Sequence, residues 1–259
     1  MLNTYLKIFY KTKFFQKSIF LNAIYIFAKI LQSIVVTKFQ FHSVKYFKRY
    51  KNSNTASIFG AGASLLELTA NDFKRLENTD SIGLLYSIFL PVNFKFFFYE
   101  TPLASEIEFI EEQRTVIMPK VLAKKADKEI GCLIWKNCEG SCTDLRLKNK
   151  VFSKIIICQI LSEDPRVVCK IFNLYRILKL DQIFILQKRG SLMGLLSFTA
   201  ALGYEKIILC GFDLNHSDYY FVKAPEYSHL GLIDPKFDYP PIISQSADGK
   251  KIHQTKLNI

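Results

Sequence analysis

From residue 56 onward, short apolar runs alternate with longer mixed stretches. Eight runs have strand length: ASIFG, SIGLLY, FKFFFY, RTVIM, IGCLIW, KIIICQI, QIFIL and EKIILCG. Continuous apolar runs are typical of strands that are covered on both faces. Two stretches, 167–179 and 190–203, have the length and composition of helices. Strands that alternate with helices predict an α/β fold with a mainly parallel, Rossmann-like sheet flanked by helices.

The positive charge of the chain is concentrated at its N-terminus. The net charge is +12, but residues 1–51 hold ten Lys or Arg and no Asp or Glu. Residues 52–259 hold 25 basic and 23 acidic residues, a net charge of only +2. A nearly neutral domain lacks the basic surface that nucleic acid requires, so we expect no nucleic-acid partner.

The N-terminal segment contains a long apolar stretch between basic and aromatic flanks. Residues 18–36 carry one charge, Lys29, and lysines and aromatic residues lie on both sides. Lysines attract anionic headgroups and aromatic rings settle at the lipid–water interface, so we expect a membrane-associated helix lying in that interface. A true span of about 20 apolar residues, or a helix packed on its own domain, remains an alternative.

The stretch SIFGAGASLLEL, residues 57–68, could bind a phosphate. A strand there runs into Gly60 and Gly62, which allow close approach of the backbone, and then to Ser64, which could cap a helix or bind the ligand. Leu65 breaks the dinucleotide fingerprint, and no Walker A lysine follows. The turn therefore points to a mononucleotide conjugate, with a purely structural tight turn as the alternative.

A second group of candidate binding residues lies within residues 187–221. Lys188, Arg189 and Ser191 stand at the start of a helix, where they could bind phosphate or face solvent. Asp213 follows the next strand at its carboxyl end, which is where ligands bind in open α/β sheets. Asp213 could be a site residue or could cap a loop.

These two segments together resemble the bacterial sialyltransferases of glycosyltransferase family 42. LGYEKIILCGFD (202–213) is similar to the family phrase L-G-Y-K-E-I-Y-L-S-G-I-D-F, and GAGASLLEL is similar to its opening G-N-G-P-S-L. The resemblance covers roughly residues 55–221 and implies a GT-A-like variant of the Rossmann-like fold. From the composition of the N-terminus we expect a membrane-associating segment at 1–51, and from the resemblance a nucleotide-sugar-binding domain at 52–221 and a short lid-like segment at 222–259.

The resemblance also implies a donor, a CMP-activated sialic acid or related nonulosonic acid, lying over the glycine turn. Some positions depart from the family: Ser87 and Glu100 stand where it has asparagines, and Asn215 stands near a tyrosine position. Because of these departures, a related sugar nucleotide or a different nucleotide conjugate remains an alternative donor. The implied donor-binding positions are Gly60, Gly62, Ser64, Ser87, Glu100, Gly190, Ser191, Asn215, Tyr219 and Tyr220.

The family needs no metal and uses a histidine beyond the last strand as the base. An imidazole with a pKa of about 6.5 can take the proton of an acceptor hydroxyl near neutral pH. His253, followed by a polar stretch, fits the family spacing better than His229. A third alternative is that neither histidine is catalytic.

The expected function is that of a metal-independent, inverting glycosyltransferase without a cofactor. It would move the sugar from a CMP-sugar donor to a glycan or glycolipid acceptor, such as lipooligosaccharide or capsule. The N-terminal segment would hold it on an anionic membrane surface, the cytoplasmic face of the inner membrane. The alternatives are a degenerate, non-catalytic nucleotide-binding membrane protein and another nucleotide-using transferase, such as a diphosphokinase.

Overall fold

The computed structural model describes residues 12–36, 42–90, 92–100, 122, 125, 130–136, 152–188 and 190–213. They form an α/β fold with a parallel five-strand sheet flanked by helices, which confirms the predicted class. The helices are α1 (Lys13–Lys17), α2 (Ile19–Val36), α3 (Val44–Phe47), α4 (Ala70–Leu76), α5 (Pro165–Ile177) and α6 (Ser191–Leu202). The strands are β1 (Thr55–Phe59), β2 (Asp80–Leu84), β3 (Phe94–Glu100), β4 (Ile130–Lys136), β5 (Phe152–Lys154), β6 (Ile157–Gln159), β7 (Ile185–Gln187) and β8 (Lys206–Cys210).

The chain divides into two compact units. The first draws on residues 1–51, 134–137 and 152–205, and the second on residues 52–133, 138–151 and 206–259. Residues 152–205, expected to belong with 52–221, group instead with the N-terminal segment because its helices contact them. The segment 222–259 lies outside the described residues.

The sheet that contains the five parallel strands has the order β5-β4-β3-β2-β1-β8, with β5 at its edge beside β4. Strand β1 pairs in parallel with β2 on one side and β8 on the other, so Phe59 stands beside both Gly83 and Cys210. Every residue of β2, and every residue of β1 after Thr55, is buried. The continuous apolar runs of β1 and β2 therefore mark strands covered on both faces, as predicted, whereas the run of β8 does not, because Lys206 and Leu209 are exposed.

The first unit has a core of its own around the parallel pair β6 and β7. Ile26 of α2 packs there with residues of α5, β6 and β7, including Cys158, Ile171 and Leu186. Helix α2 thus supplies part of the apolar core, which was the third alternative for this segment. No helix among the described residues combines the length and apolarity that crossing a bilayer requires.

A buried asparagine anchors α2. The Asn22 side chain is fully buried, and its Nδ2 donates to the carbonyl oxygens of Phe15 and Ser18, both at 3.0 Å. Its Oδ1 accepts from the backbone N–H of Ser162 at 3.1 Å. A buried polar side chain is tolerated only when it is hydrogen-bonded, so these bonds define one orientation of the helix.

Residues 42–51 are also packed within the first unit. Phe47 is fully buried, and its ring centroid lies 5.7 Å from that of Phe198 in α6, close to perpendicular. Lys51 Nζ donates to the carbonyl oxygen of Gly203 at 2.7 Å, just after α6 ends. This part of the segment therefore contributes to the folded core.

Candidate functional site

The loop after β1 and the loop after β8 carry the two candidate binding motifs, and they meet at the carboxyl ends of these strands. The backbone N–H of Gly60 donates to Cys210 O at 2.8 Å, and that of Gly62 donates to Gly211 O at 2.8 Å. The chain continues from β1 to β2 on one side of β1, while β8 lies on its other side. Such a point, at the carboxyl edge of a parallel sheet, is where open α/β folds bind ligands.

Both glycines of the β1 turn are required by this close approach. A Cβ on Gly60 would overlap the carbonyl oxygen of Gly211, and a Cβ on Gly62 would lie 2.5 Å from Asp213 Oδ2. Neither distance is compatible with normal van der Waals contact. The glycines therefore let the two loops approach each other closely. This is a structural role, which was the alternative to phosphate binding for this turn.

Asp213 forms two hydrogen bonds with Ser64. Its Oδ2 accepts from the Ser64 backbone N–H at 2.9 Å, and its Oδ1 accepts from the Ser64 hydroxyl. Both residues are half-exposed, and Ser64 lies in the first turn of a short 3₁₀ helix, Ala63–Glu67. Asp213 thus caps a loop, and its negative charge disfavours a phosphate on the Ser64 N–H. A carboxylate can accept further hydrogen bonds, so it suits a ligand hydroxyl or amine better.

The carboxyl end of β2 lies at the same edge of the sheet. Ser87 is fully buried there, and its Oγ accepts from the Leu84 backbone N–H at 2.7 Å. The Ser87 hydroxyl therefore holds the turn after β2. Between them, Leu85 has a φ of 48°, a left-handed conformation that is uncommon for leucine and often occurs at functional sites. No signal in the sequence indicates Leu85.

The other expected donor-binding residues fall elsewhere. Glu100 ends β3, and its side chain is outside the described part. Gly190 and Ser191 belong to the first unit, where Gly190, with a φ of 45°, precedes α6 and Ser191 is its first residue. Five expected residues lie outside the described residues: Asn215, Tyr219, Tyr220, His229 and His253.

A thiol also lies at this edge, at the end of β8. Cys210 is 7% exposed, and burial raises the pKa of its thiol to about 11. The thiol is therefore protonated at neutral pH, and Cys210 is a packing residue rather than a nucleophile. Within the described ranges, no three His, Cys, Asp or Glu side chains cluster as metal ligands would.

An open cavity of about 360 Å³ lies at the opposite, amino-terminal edge of the sheet. Asp80 lines it, but the Asp80 Oδ2 accepts from the backbone N–H groups of Asn52 and Ser53, at 2.8 and 3.1 Å. This carboxylate therefore holds the chain entering β1. Because ligands of parallel sheets bind at the carboxyl edge, we assign the candidate site to the β1–β8 junction.

The junction offers a carboxylate, a serine hydroxyl and two glycine-lined loops. This set can hold the hydroxyl groups of a sugar or nucleoside by hydrogen bonding. Compared with known proteins, the chain matches no family model, no curated protein and no solved structure.

Proposed function

We propose that the chain is a glycosyltransferase that uses a CMP-sugar donor, a sialic acid or related nonulosonic acid. The acceptor would be a surface glycan, such as lipooligosaccharide or capsule, at the cytoplasmic face of the inner membrane. The observation that carries the proposal is the junction of the glycine turn with Asp213 at the carboxyl edge between β1 and β8. The motifs behind the resemblance to glycosyltransferase family 42 are the two loops that meet there.

The arrangement of the second unit supports a Rossmann-like sheet of the GT-A-like variant. In such sheets the nucleotide lies across the carboxyl ends of the central strands. Here the Asp213 carboxylate favours contact with ribose or sugar hydroxyls, whereas the donor phosphate would lie away from it. The donor phosphate is therefore not placed on Ser64, because the backbone N–H and the hydroxyl of Ser64 already donate hydrogen bonds to Asp213.

The proposed chemistry is a single inverting displacement. A histidine, His253 first and His229 second, takes the proton of the acceptor hydroxyl. The acceptor oxygen attacks the anomeric carbon as the bond from that carbon to the phosphate oxygen breaks. CMP leaves with the electron pair of that bond, and no metal or cofactor takes part.

Replacing Asp213 with asparagine tests the site. We expect wild-type chain to bind CMP in calorimetric titration, and Asp213→Asn to bind it about tenfold more weakly, because a charged hydrogen-bond acceptor is lost. Asp80→Asn is the matched control, since Asp80 also accepts two hydrogen bonds but lies at the other edge of the sheet.

The titration also separates the alternatives. If wild-type chain binds none of CMP, UMP and GDP, the proposed function is wrong. Equal losses in Asp213→Asn and Asp80→Asn would assign the effect to stability and would remove Asp213 from the site. Preference for a nucleotide other than CMP would favour another nucleotide-using transferase.

Release of CMP from CMP-sialic acid tests catalysis and identifies the base. We expect wild-type chain to release CMP, His253→Ala to release it much more slowly, and His229→Ala to retain the wild-type rate. General-base residues typically contribute about 10²- to 10⁴-fold to a rate. CMP binding without release, over a panel of CMP-linked sugars, would indicate the non-catalytic alternative. Equal rates in all three proteins would exclude both histidines.

A further inference from the structure

Helix α2 exposes a stripe of large apolar side chains. Phe20 and Phe27 are 72% and 62% exposed, and Ile24 and Leu31 are 48% and 47% exposed. At about 100° per residue, these four positions fall within about 60° of each other around the helix. They form one continuous apolar face, here called the outer face of α2.

The outer face lies opposite the anchored side of the helix. Asn22 and Ile26 are buried, and Lys29 is half-buried on the same side. Their mean direction around the helix is about 160° from that of the stripe, at about 100° per residue. Because Asn22 is hydrogen-bonded within the unit, α2 is held with its outer face directed away from that core.

The segment that contains this helix is basic, and a basic segment suits an anionic surface. Residues 1–51 contain ten Lys or Arg and no acid, and the described Lys17, Lys45, Lys48 and Arg49 are exposed. Anionic headgroups attract such residues, while phenylalanine and aliphatic side chains insert between the lipids. A stable protein–protein contact usually needs about 20 to 30 residues on each side, far more than a stripe of four.

We propose that the outer face of α2, formed by Phe20, Ile24, Phe27 and Leu31, binds the surface of an anionic lipid bilayer. The helix lies parallel to the bilayer, with its apolar stripe inserted and its anchored side on the protein. Helix α2 thus combines the expected interfacial helix with the alternative of a helix packed on its own domain, since one side packs on the protein while the other contacts lipid. The proposal does not depend on transferase activity.

Flotation of the full chain with vesicles tests this surface. We expect binding to vesicles of phosphatidylcholine and phosphatidylglycerol, and much weaker binding to phosphatidylcholine alone. The double variant Phe20→Ser, Phe27→Ser should bind the anionic vesicles at least tenfold more weakly, because both aromatic rings of the outer face of α2 are lost. The matched control is Leu174→Ser, Ile177→Ser, which removes two exposed apolar residues of α5 in the same unit.

Circular dichroism verifies that both double variants remain folded, as expected for exposed positions. Retained binding by Phe20→Ser, Phe27→Ser would overturn the proposal, and so would an equal loss in the α5 control. Equal binding to neutral vesicles would overturn the choice of anionic lipid. A dimer in lipid-free light scattering that Phe20→Ser, Phe27→Ser converts to a monomer would show that a second copy covers this face instead.

Discussion

Replacing Gly60 with alanine is expected to lower the free energy of unfolding by about 3 kcal/mol, the upper part of the usual range for overpacking. The added Cβ would overlap the carbonyl oxygen of Gly211. That oxygen belongs to the backbone and accepts the hydrogen bond of Gly62, so it cannot move without breaking the junction of the two loops. Urea denaturation should show a lower midpoint with an unchanged slope.

Ala61→Ser is the matched control for this prediction. Ala61 lies in the same turn and is half-exposed, so its substitution should change the free energy of unfolding by less than about 0.5 kcal/mol. Because Gly60 also shapes the proposed donor site, Gly60→Ala should weaken CMP binding as well. Equal stability of Gly60→Ala and Ala61→Ser would mean that the loops after β1 and β8 do not abut.

Replacing Phe47 with alanine is expected to cost about 3 to 5 kcal/mol of stability, the range for truncating a buried phenylalanine. Phe47 is fully buried against Phe198, at a centroid distance of 5.7 Å. The loss should appear in denaturant unfolding of the full chain. It would show that residues 42–50 belong to the folded core and cannot be removed as a detachable anchor.

Two comparisons sharpen the Phe47 prediction. Lys48→Ala, at the exposed position beside it, should leave stability within about 0.5 kcal/mol. Phe47→Ala and Phe198→Ala together should cost less than the sum of the single losses, because the two rings contact each other. Strict additivity, or a Phe47→Ala chain as stable as wild type, would contradict the described packing.

Most of the sheet could be predicted from the sequence. The runs ASIFG, SIGLLY and EKIILCG became β1, β2 and β8, and the helical stretches 167–179 and 190–203 became α5 and α6 within two residues. The sequence predicts these elements because each is marked by the composition and length of a run of consecutive residues. The run RTVIM lies outside the described residues.

Only part of the candidate site could be predicted from the sequence. The glycine turn and the loop containing Asp213 were recognised separately, and the sequence left Asp213 open between a cap and a site residue. The bond between Asp213 and Ser64 joins positions 149 residues apart, so no local pattern encodes it. Ser87 was expected to contact the donor, yet its hydroxyl is buried in a turn that depends on the left-handed Leu85.

The sequence by itself determined the α/β class, the parallel strands and the basic N-terminus, because these follow from local periodicity and from charge counts. Only the tertiary structure decided where α2 lies. An apolar helix with one lysine suits a membrane and a protein core equally well, since both remove the same side chains from water. The partners of Asn22, at Phe15 and Ser162, distinguish them by directing one side of α2 inward and leaving Phe20 and Phe27 exposed.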